Sequence, residues 1–386
     1  MRVAILTTEN RHNFREYHKP EPYFGTAPEA LFQGFVEQPD LEVHVVSCIQ
    51  RPLPAPEKLA ANIWFHSLVV PKLGWLRTGY QGCIRAVRKK LREVGPDMVH
   101  AQGTERDCAM TGAFCGYPNV LTIHGNMHRI ASLMKARPFD YYWLAARLER
   151  MAVKRTWGVV CNSAHTENEV KDYARRTWRV PNALRQQFFS PAASQPRGPI
   201  PILANVGTIM PLKRQREILN LAAQLHAEGY KFSIHFVGSL DESVPYGKLF
   251  RERVTEAERH GYGRYRGTMS TQELVEFFDS ASGMIHFSAE ESFGLVVAEG
   301  LARNLKFFGT RVGGVIDIAT QVEGAELFED NDLAGLRTAW TTWLKQGHPQ
   351  PATASQEMFR RYHPDAIARQ HLAIYRELLA GKPTTL

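Results

Sequence analysis

One stretch of this sequence has the residue types and spacing of a ligand-binding turn: Ser288-Ala-Glu-Glu-Ser-Phe-Gly-Leu-Val-Val-Ala-Glu-Gly300. An apolar run, Met284–Phe287, precedes it, and a helix-period pattern opens at about Phe293 with Ser292 as its N-cap. The first amides of such a helix, at Phe293, Gly294 and Leu295, lack intrahelical acceptors and lie at its positive end, so they suit an anion. Gly294 lets that anion come close to the backbone. Glu291 stands ahead of the helix and Glu299 follows on it, roughly 12 Å away at 1.5 Å per residue. That distance matches the span between the sugar and ribose hydroxyls of a nucleotide-sugar, so one carboxylate can hold each end. A lone Glu pair on a surface helix would carry no such meaning. The strand–loop–helix setting and the glycine shift the balance toward a site.

Lys213 sits near a helix start marked by Pro211 and in register with Gly207 at a strand end. An ammonium there can neutralise a leaving diphosphate, although a surface lysine near a helix start is commonplace by itself. His124 ends an apolar run, which puts its ring at the carboxyl edge of a parallel sheet, where α/β proteins bind ligands. A core histidine satisfied by the backbone is an equally good reading of His124 alone. His100 fits the structural reading better. Asn126, His128, Glu105 and Arg106 are rim candidates for acceptor contact.

Short apolar runs alternate with helix-period stretches throughout, the pattern of parallel sheets flanked by helices. Strands are expected near residues 3–6, 43–47, 64–70, 98–101, 120–124, 158–161 and 178–180, then 202–206, 232–237, 265–267, 283–287, 306–309 and 325–328. First-half helices are expected at 28–37, 80–94, 141–154 and 166–174; later ones start near Pro211, Tyr246, Thr271, Phe293 and Asp332, with a final helix over 365–379. The Pro- and Gly-rich stretch SPAASQPRGP, residues 190–199, breaks the alternation. The expected architecture is an α/β chain of two doubly wound domains: 1–189, a linker at 190–199, 200–363, and a helical tail over 364–386 packing back toward the first domain.

The 386 residues suit two domains, and 44% hydrophobic with 22% charged residues is ordinary globular composition. No apolar run reaches the length of a membrane span, and the N-terminus reads as a first strand, not a signal peptide. Five scattered cysteines give no disulfide framework, so a cytoplasmic location is expected. No Cys-x2-Cys or His-Glu-x-x-His spacing suggests a metal site, and neither Gly-x-Gly-x-x-Gly nor a P-loop is present. Residues 1–200 hold 27 Lys and Arg against 17 Asp and Glu, while the remainder is slightly acidic. The basic run Arg85, Arg88, Lys89, Lys90, Arg92 lies on a helix whose Ile84, Val87 and Leu91 form an apolar stripe. It reads as a solvated face, or as a surface for an acidic acceptor or an anionic membrane. No nucleic-acid motif is present.

The Glu291–Glu299 stretch resembles the Glu-x7-Glu motif of retaining GT-B glycosyltransferases, most closely those of family 4. Further segments are similar in order over nearly the whole chain: Val120–Gly125 ending in His124, Val180-Pro-Asn182, Asn205–Lys213, His235–Gly238 and Tyr265–Ser270. The resemblance implies two Rossmann-like domains facing across a cleft and transfer of a sugar from a nucleoside diphosphate sugar, of UDP or GDP type. The acceptor would be a sugar, lipid or small molecule, and no metal or other cofactor would be obligatory. It implies catalytic roles for His124, Glu291 and Lys213. Donor contacts would come from Gly207, Thr208, Lys213, Gly238, Met269, Phe293, Gly294, Leu295 and Glu299. Gly25, Thr26 and Asn126 would form the acceptor or closing loop. Two departures stand out. Thr208 replaces the arginine that many members carry, and Phe24-Gly-Thr26, after a long loop from Thr8, replaces a Gly-Gly pair. An epimerase of related fold and a non-catalytic nucleotide-sugar-binding protein are the alternative readings.

Overall fold

The computed structural model describes residues 1–11, 16–191 and 198–381. The chain divides into two compact units, one of Met1–Arg185 with the C-terminal segment from Tyr362, the other of Gln186–Arg361. The division falls just ahead of the expected linker at 190–199, whose residues 192–197 lie outside the described residues.

The first unit runs β1 (Arg2–Leu6), α1 (Thr26–Val36), β2 (Glu42–Ile49), β3 (Lys58–Ala60), β4 (Ile63–Val69), α2 (Gln81–Val94), β5 (Met98–Gln102), α3 (Cys108–Ala113), β6 (Asn119–Ile123), α4 (Met127–Leu133), α5 (Tyr141–Arg155), β7 (Gly158–Cys161), α6 (Ala164–Val170) and β8 (Thr177–Arg179). Its sheet has the order β3-β4-β2-β1-β5-β6-β7-β8, parallel except for β3 on β4. Successive β1 residues serve opposite faces: Val3 and Ile5 join one apolar cluster, Ala4 and Leu6 the other. Burial on both faces explains the unbroken apolar runs in the sequence. The order reverses beside β1, where β5 pairs with it, so the carboxyl ends of β1 and β5 flank the sheet's topological switch point.

The second unit continues with β9 (Ile202–Val206), a 3-10 turn (Pro211–Lys213), α7 (Gln215–Ala227), β10 (Ser233–Val237), α8 (Pro245–Arg259), β11 (Gly263–Tyr265), α9 (Thr271–Ser280), β12 (Gly283–His286), α10 (Leu295–Ala302), β13 (Lys306–Thr310), α11 (Val315–Ala319), β14 (Ala325–Phe328), α12 (Leu333–Lys345) and α13 (Ala354–Tyr362). Its sheet, β11-β10-β9-β12-β13-β14, is parallel throughout and switches direction between β9 and β12. The final helix, α14 (Pro364–Ala380), belongs to the first unit and packs on α1. A side chain at Gly34 would meet the Pro364 carbonyl oxygen at 2.2 Å, so glycine permits this approach, and Gln38 donates to Asp365 at 2.8 Å.

Two expected helix starts fall later by two residues or more. Ser292 does not cap α10; Gly294 does, at φ +96°, a left-handed conformation that glycine adopts without a Cβ penalty. Likewise, α7 starts at Gln215 because Arg214, at φ +53°, separates it from the 3-10 turn that holds Lys213. The short elements β3, α3, α4 and α11 have too few turns or residues to leave a periodic signature.

Candidate functional site

In the second unit, the loops after β9 and β12 meet at the sheet's switch point. The strand ends Gly207 and Gly238 abut: a Cβ on Gly238 would fall 2.1 Å from the Gly207 carbonyl oxygen. Buried Gln215 secures the following loop by donating to the Thr208 carbonyl at 3.0 Å and accepting from the Met210 amide at 3.3 Å. The Ser288 hydroxyl and Ala289 amide bond to the Leu212 carbonyl, tying the two loops together. Lys213 and Glu291 form an ion pair, and His286 Nε2 lies 3.0 Å from the same Glu291 oxygen.

Burial alone would raise the Glu291 carboxyl, but the His286 hydrogen bond and the Lys213 charge outweigh it and hold the group at about 2. Glu291 is therefore ionised near neutrality and cannot serve as a general acid there. Burial keeps His286 below the ordinary histidine range, so its neutral ring donates to Glu291. Gly313 and Gly314 press against this loop, where a Cβ on Gly313 would lie 1.6 Å from the Glu291 carbonyl oxygen. Glu299 is buried on α10. The first-turn amides of that helix are those of Leu295 and Val296, since the helix begins two positions later than expected and Phe293 lies ahead of it.

The expected nucleobase segment is equally fixed. Tyr265 donates to the Gly238 carbonyl at 2.7 Å, and the Gly238 amide donates to Gly267 at 2.8 Å. Burial, with Arg266 and Arg264 nearby, takes His235 down to about 4, so its neutral Nδ1 accepts from Arg266 at 3.0 Å. Met269 is half-buried in the loop ahead of Ser270, which caps α9.

In the first unit, His124 follows β6 and its Nε2 lies 2.7 Å from Gln102 Oε1. Burial lowers its basicity, against the smaller opposing effects of Glu105 and Asn182. A neutral ring that donates from Nε2 leaves the buried Nδ1 as an acceptor. Gln102 in turn contacts fully buried His100, which bonds to Thr122 at 2.6 Å and to Tyr375 of α14 at 2.5 Å. His100 is thus a structural link behind His124.

Asn126 caps α4 by accepting from the Arg129 amide at 2.8 Å, and its buried Nδ2 has no partner. Buried Glu149 on α5 accepts from the Met127 and His128 amides and from Thr104, which pins the His124 loop. Burial pushes Glu149 up to about 7. Gly25 and Thr26 form the N-terminus of α1, at the end of a loop anchored by the buried Arg11–Glu9 pair at 2.9 Å.

Two sequence profiles match the chain: glycosyltransferase family 4 over residues 31–185 and glycosyl transferases group 1 over residues 187–362. The chain belongs to the group 1 glycosyltransferases. Among curated relatives of this family member, the D-inositol 3-phosphate glycosyltransferase of Acidothermus cellulolyticus is 26% identical over 64% of the chain and 68% of that relative. Among solved structures, sucrose-phosphate synthase from Thermosynechococcus elongatus superposes with a TM-score of 0.73 at 16% identity, covering 99% of this chain and 100% of that one. Anabaena HepE in complex with UDP and glucose gives 0.70 at 15% identity, covering 97% and 99%. These likenesses establish the GT-B fold.

Within this glycosyltransferase, the structure brings together Gly207, Lys213 and Glu291 in one unit, and His124 and Asn126 in the other. Sequence reasoning missed His286, Gln215, Gln102, Glu149 and the Gly313-Gly314 pair. A polar residue ending an apolar run, as at His286 and Gln102, was the available signal. The fold places ligating atoms of Cys48, Cys83 and Asp107, far apart in sequence, within 4.8 Å of one another in the core. No helix of the described residues is long and apolar enough to cross a membrane.

Proposed function

We propose that the chain is a retaining glycosyltransferase that uses a UDP- or GDP-type sugar in polysaccharide, glycolipid or small-molecule glycoside synthesis. The bond from the anomeric carbon to the diphosphate breaks while a bond to an acceptor hydroxyl forms on the same face. The hydroxyl proton leaves with the diphosphate oxygen. The observation that carries this reading is the Lys213–Glu291–His286 cluster at the β9/β12 switch point, beside abutting Gly207 and Gly238. Lys213 and the α10 amides would neutralise the leaving diphosphate in place of a metal ion. The buried carboxylate of Glu299 would hold the ribose hydroxyls. Gly25, Thr26 and Asn126 would contact the acceptor, and His124 Nδ1 would accept a hydrogen bond from a donor-sugar hydroxyl.

A nucleotide-sugar donor is supported by the structurally similar HepE, which was solved with UDP and glucose. The Acidothermus relative is named for a phosphorylated polyol acceptor, which agrees with the basic first half of this chain. The α2 cations would draw the enzyme to an anionic membrane face.

A thermal-shift screen of UDP, GDP and ADP sugars tests the donor reading, because a ligand bound only by the folded chain raises its apparent stability. At least one should raise the midpoint by several degrees, and its sugar should then be transferred to an added acceptor. Stabilisation without turnover would mark a binding protein, interconversion of the free donor an epimerase, and no shift with any would refute the reading.

A further inference from the structure

A cavity of about 550 Å³ opens in the first unit between the segment ahead of α2 and the turn ahead of α5. Trp75, Tyr80, Phe139 and Tyr141 line it, together with Lys72, Arg77 and Arg106. None of these three cations forms an ion pair with a described acid. Asp140, the acid in the lining, is committed elsewhere: its carboxylate accepts from the Arg137 amide at 2.6 Å and the Trp143 amide at 2.9 Å. The lining is therefore aromatic and net cationic, with three cations against the one carboxylate of Asp140. By contrast, two cations of α2 are engaged, Arg88 with the Phe114 carbonyl at 2.6 Å and Lys90 with Glu93 at 2.5 Å.

Two of the eight non-glycine residues with positive φ among the described residues line the same place. Tyr80 and Phe139 have φ of +59° and +70°, left-handed values that are uncommon for bulky residues. Both aromatics line the cavity. Backbone strain of this kind gathers at ligand sites, where the surrounding structure over-determines it. The cavity also adjoins the His124 loop. Tyr141 donates to the Glu105 carbonyl at 2.9 Å, and the Glu105 carboxylate accepts from the Gly125 amide at 3.0 Å.

We infer that this cavity is a binding site for a phosphorylated ring polyol or sugar. The anion would be held by Lys72, Arg77 and Arg106, and the ring would lie against the aromatic wall. Aromatic faces pack against the apolar face of a sugar ring, and arginine grips phosphate through paired N–H donors. Its role as the acceptor subsite rests on the glycosyltransferase reading; the ligand chemistry does not. Such a ring phosphate can arrive free in solution or as a lipid headgroup.

The test is calorimetric titration of the full chain with glucose 6-phosphate, with glucose, and with phosphatidylcholine vesicles containing phosphatidylinositol. Glucose 6-phosphate should bind saturably and at least tenfold more tightly than glucose. Arg77→Ala and Arg106→Ala should each weaken it at least fivefold, Arg77→Lys less, with the folded content unchanged by circular dichroism. Binding of the vesicles but not the free phosphate, with the same arginine dependence, would support the site and assign it a lipid-borne ligand. No saturable binding of either probe, or binding indifferent to both alanine substitutions, would overturn the inference. UDP and GDP titrated into the same samples separate the two readings. Their failure to bind would remove the donor role, while an arginine-dependent ring-phosphate site would still stand.

Discussion

Replacing Glu291 with Gln keeps the side chain's shape and removes its charge, so it isolates what the Lys213–Glu291–His286 cluster contributes. The carboxyl is held at about 2 against an ordinary 4.5. At about 1.4 kcal/mol per unit, the folded chain favours the ionised form by about 3 kcal/mol. A lowered carboxyl gives stability that is present above the unfolded value and is lost as pH falls toward the folded one. Near pH 3.5 roughly half of that contribution should be gone. Urea unfolding of the chain with and without Glu291→Gln at pH 7.0 and 3.5, each in a His286→Gln background that removes the coupled imidazole, reads this because the titrating groups away from the cluster are common to both chains. The variant should be less stable by about 3 kcal/mol at pH 7.0, with the gap reduced by about half at pH 3.5. An equal gap at both pH values, or none at either, would refute the electrostatic account of the cluster.

Lys213→Ala should lower kcat about a hundredfold or more, because charge on the leaving diphosphate grows in the transition state; a change confined to KM would make its role uniform binding. Transfer should survive excess EDTA, and activity lost and then restored by Mn²⁺ or Mg²⁺ would show the phosphate site to be misread. Glu149 has the opposite sign from Glu291: with its carboxyl raised to about 7, its contribution to stability should grow as pH falls from 7 to 5, and Glu149→Gln should flatten that slope. A slope unchanged in the variant would remove Glu149 as its source.

The parallel sheets were legible because strands buried on both faces leave continuous apolar runs, as at Val3–Leu6 and Ile202–Val206. Glu291, Lys213 and His124 were legible for a related reason, since each lies just past such a run or beside a Gly or Pro that marks a turn. What partners them was hidden. Local pattern cannot reveal that Lys213 pairs with Glu291 across 78 residues, or that Tyr375 reaches His100 across 275. Helix starts at Arg214 and Gly294 shifted because left-handed backbone is a property of the folded turn; an arginine announces none, and Ser292 offered a plausible cap that the chain does not use.

The most direct test of the central claim is calorimetric titration of bare UDP and GDP into the wild-type chain and Glu299→Ala. If the second unit grips a nucleoside diphosphate with Glu299 on its ribose, one nucleotide should bind wild type saturably. The folded variant should then lose on the order of 1.5–3 kcal/mol of affinity, the worth of a charge-assisted hydrogen bond. Failure of both nucleotides to bind, or equal affinity for wild type and Glu299→Ala, would contradict it.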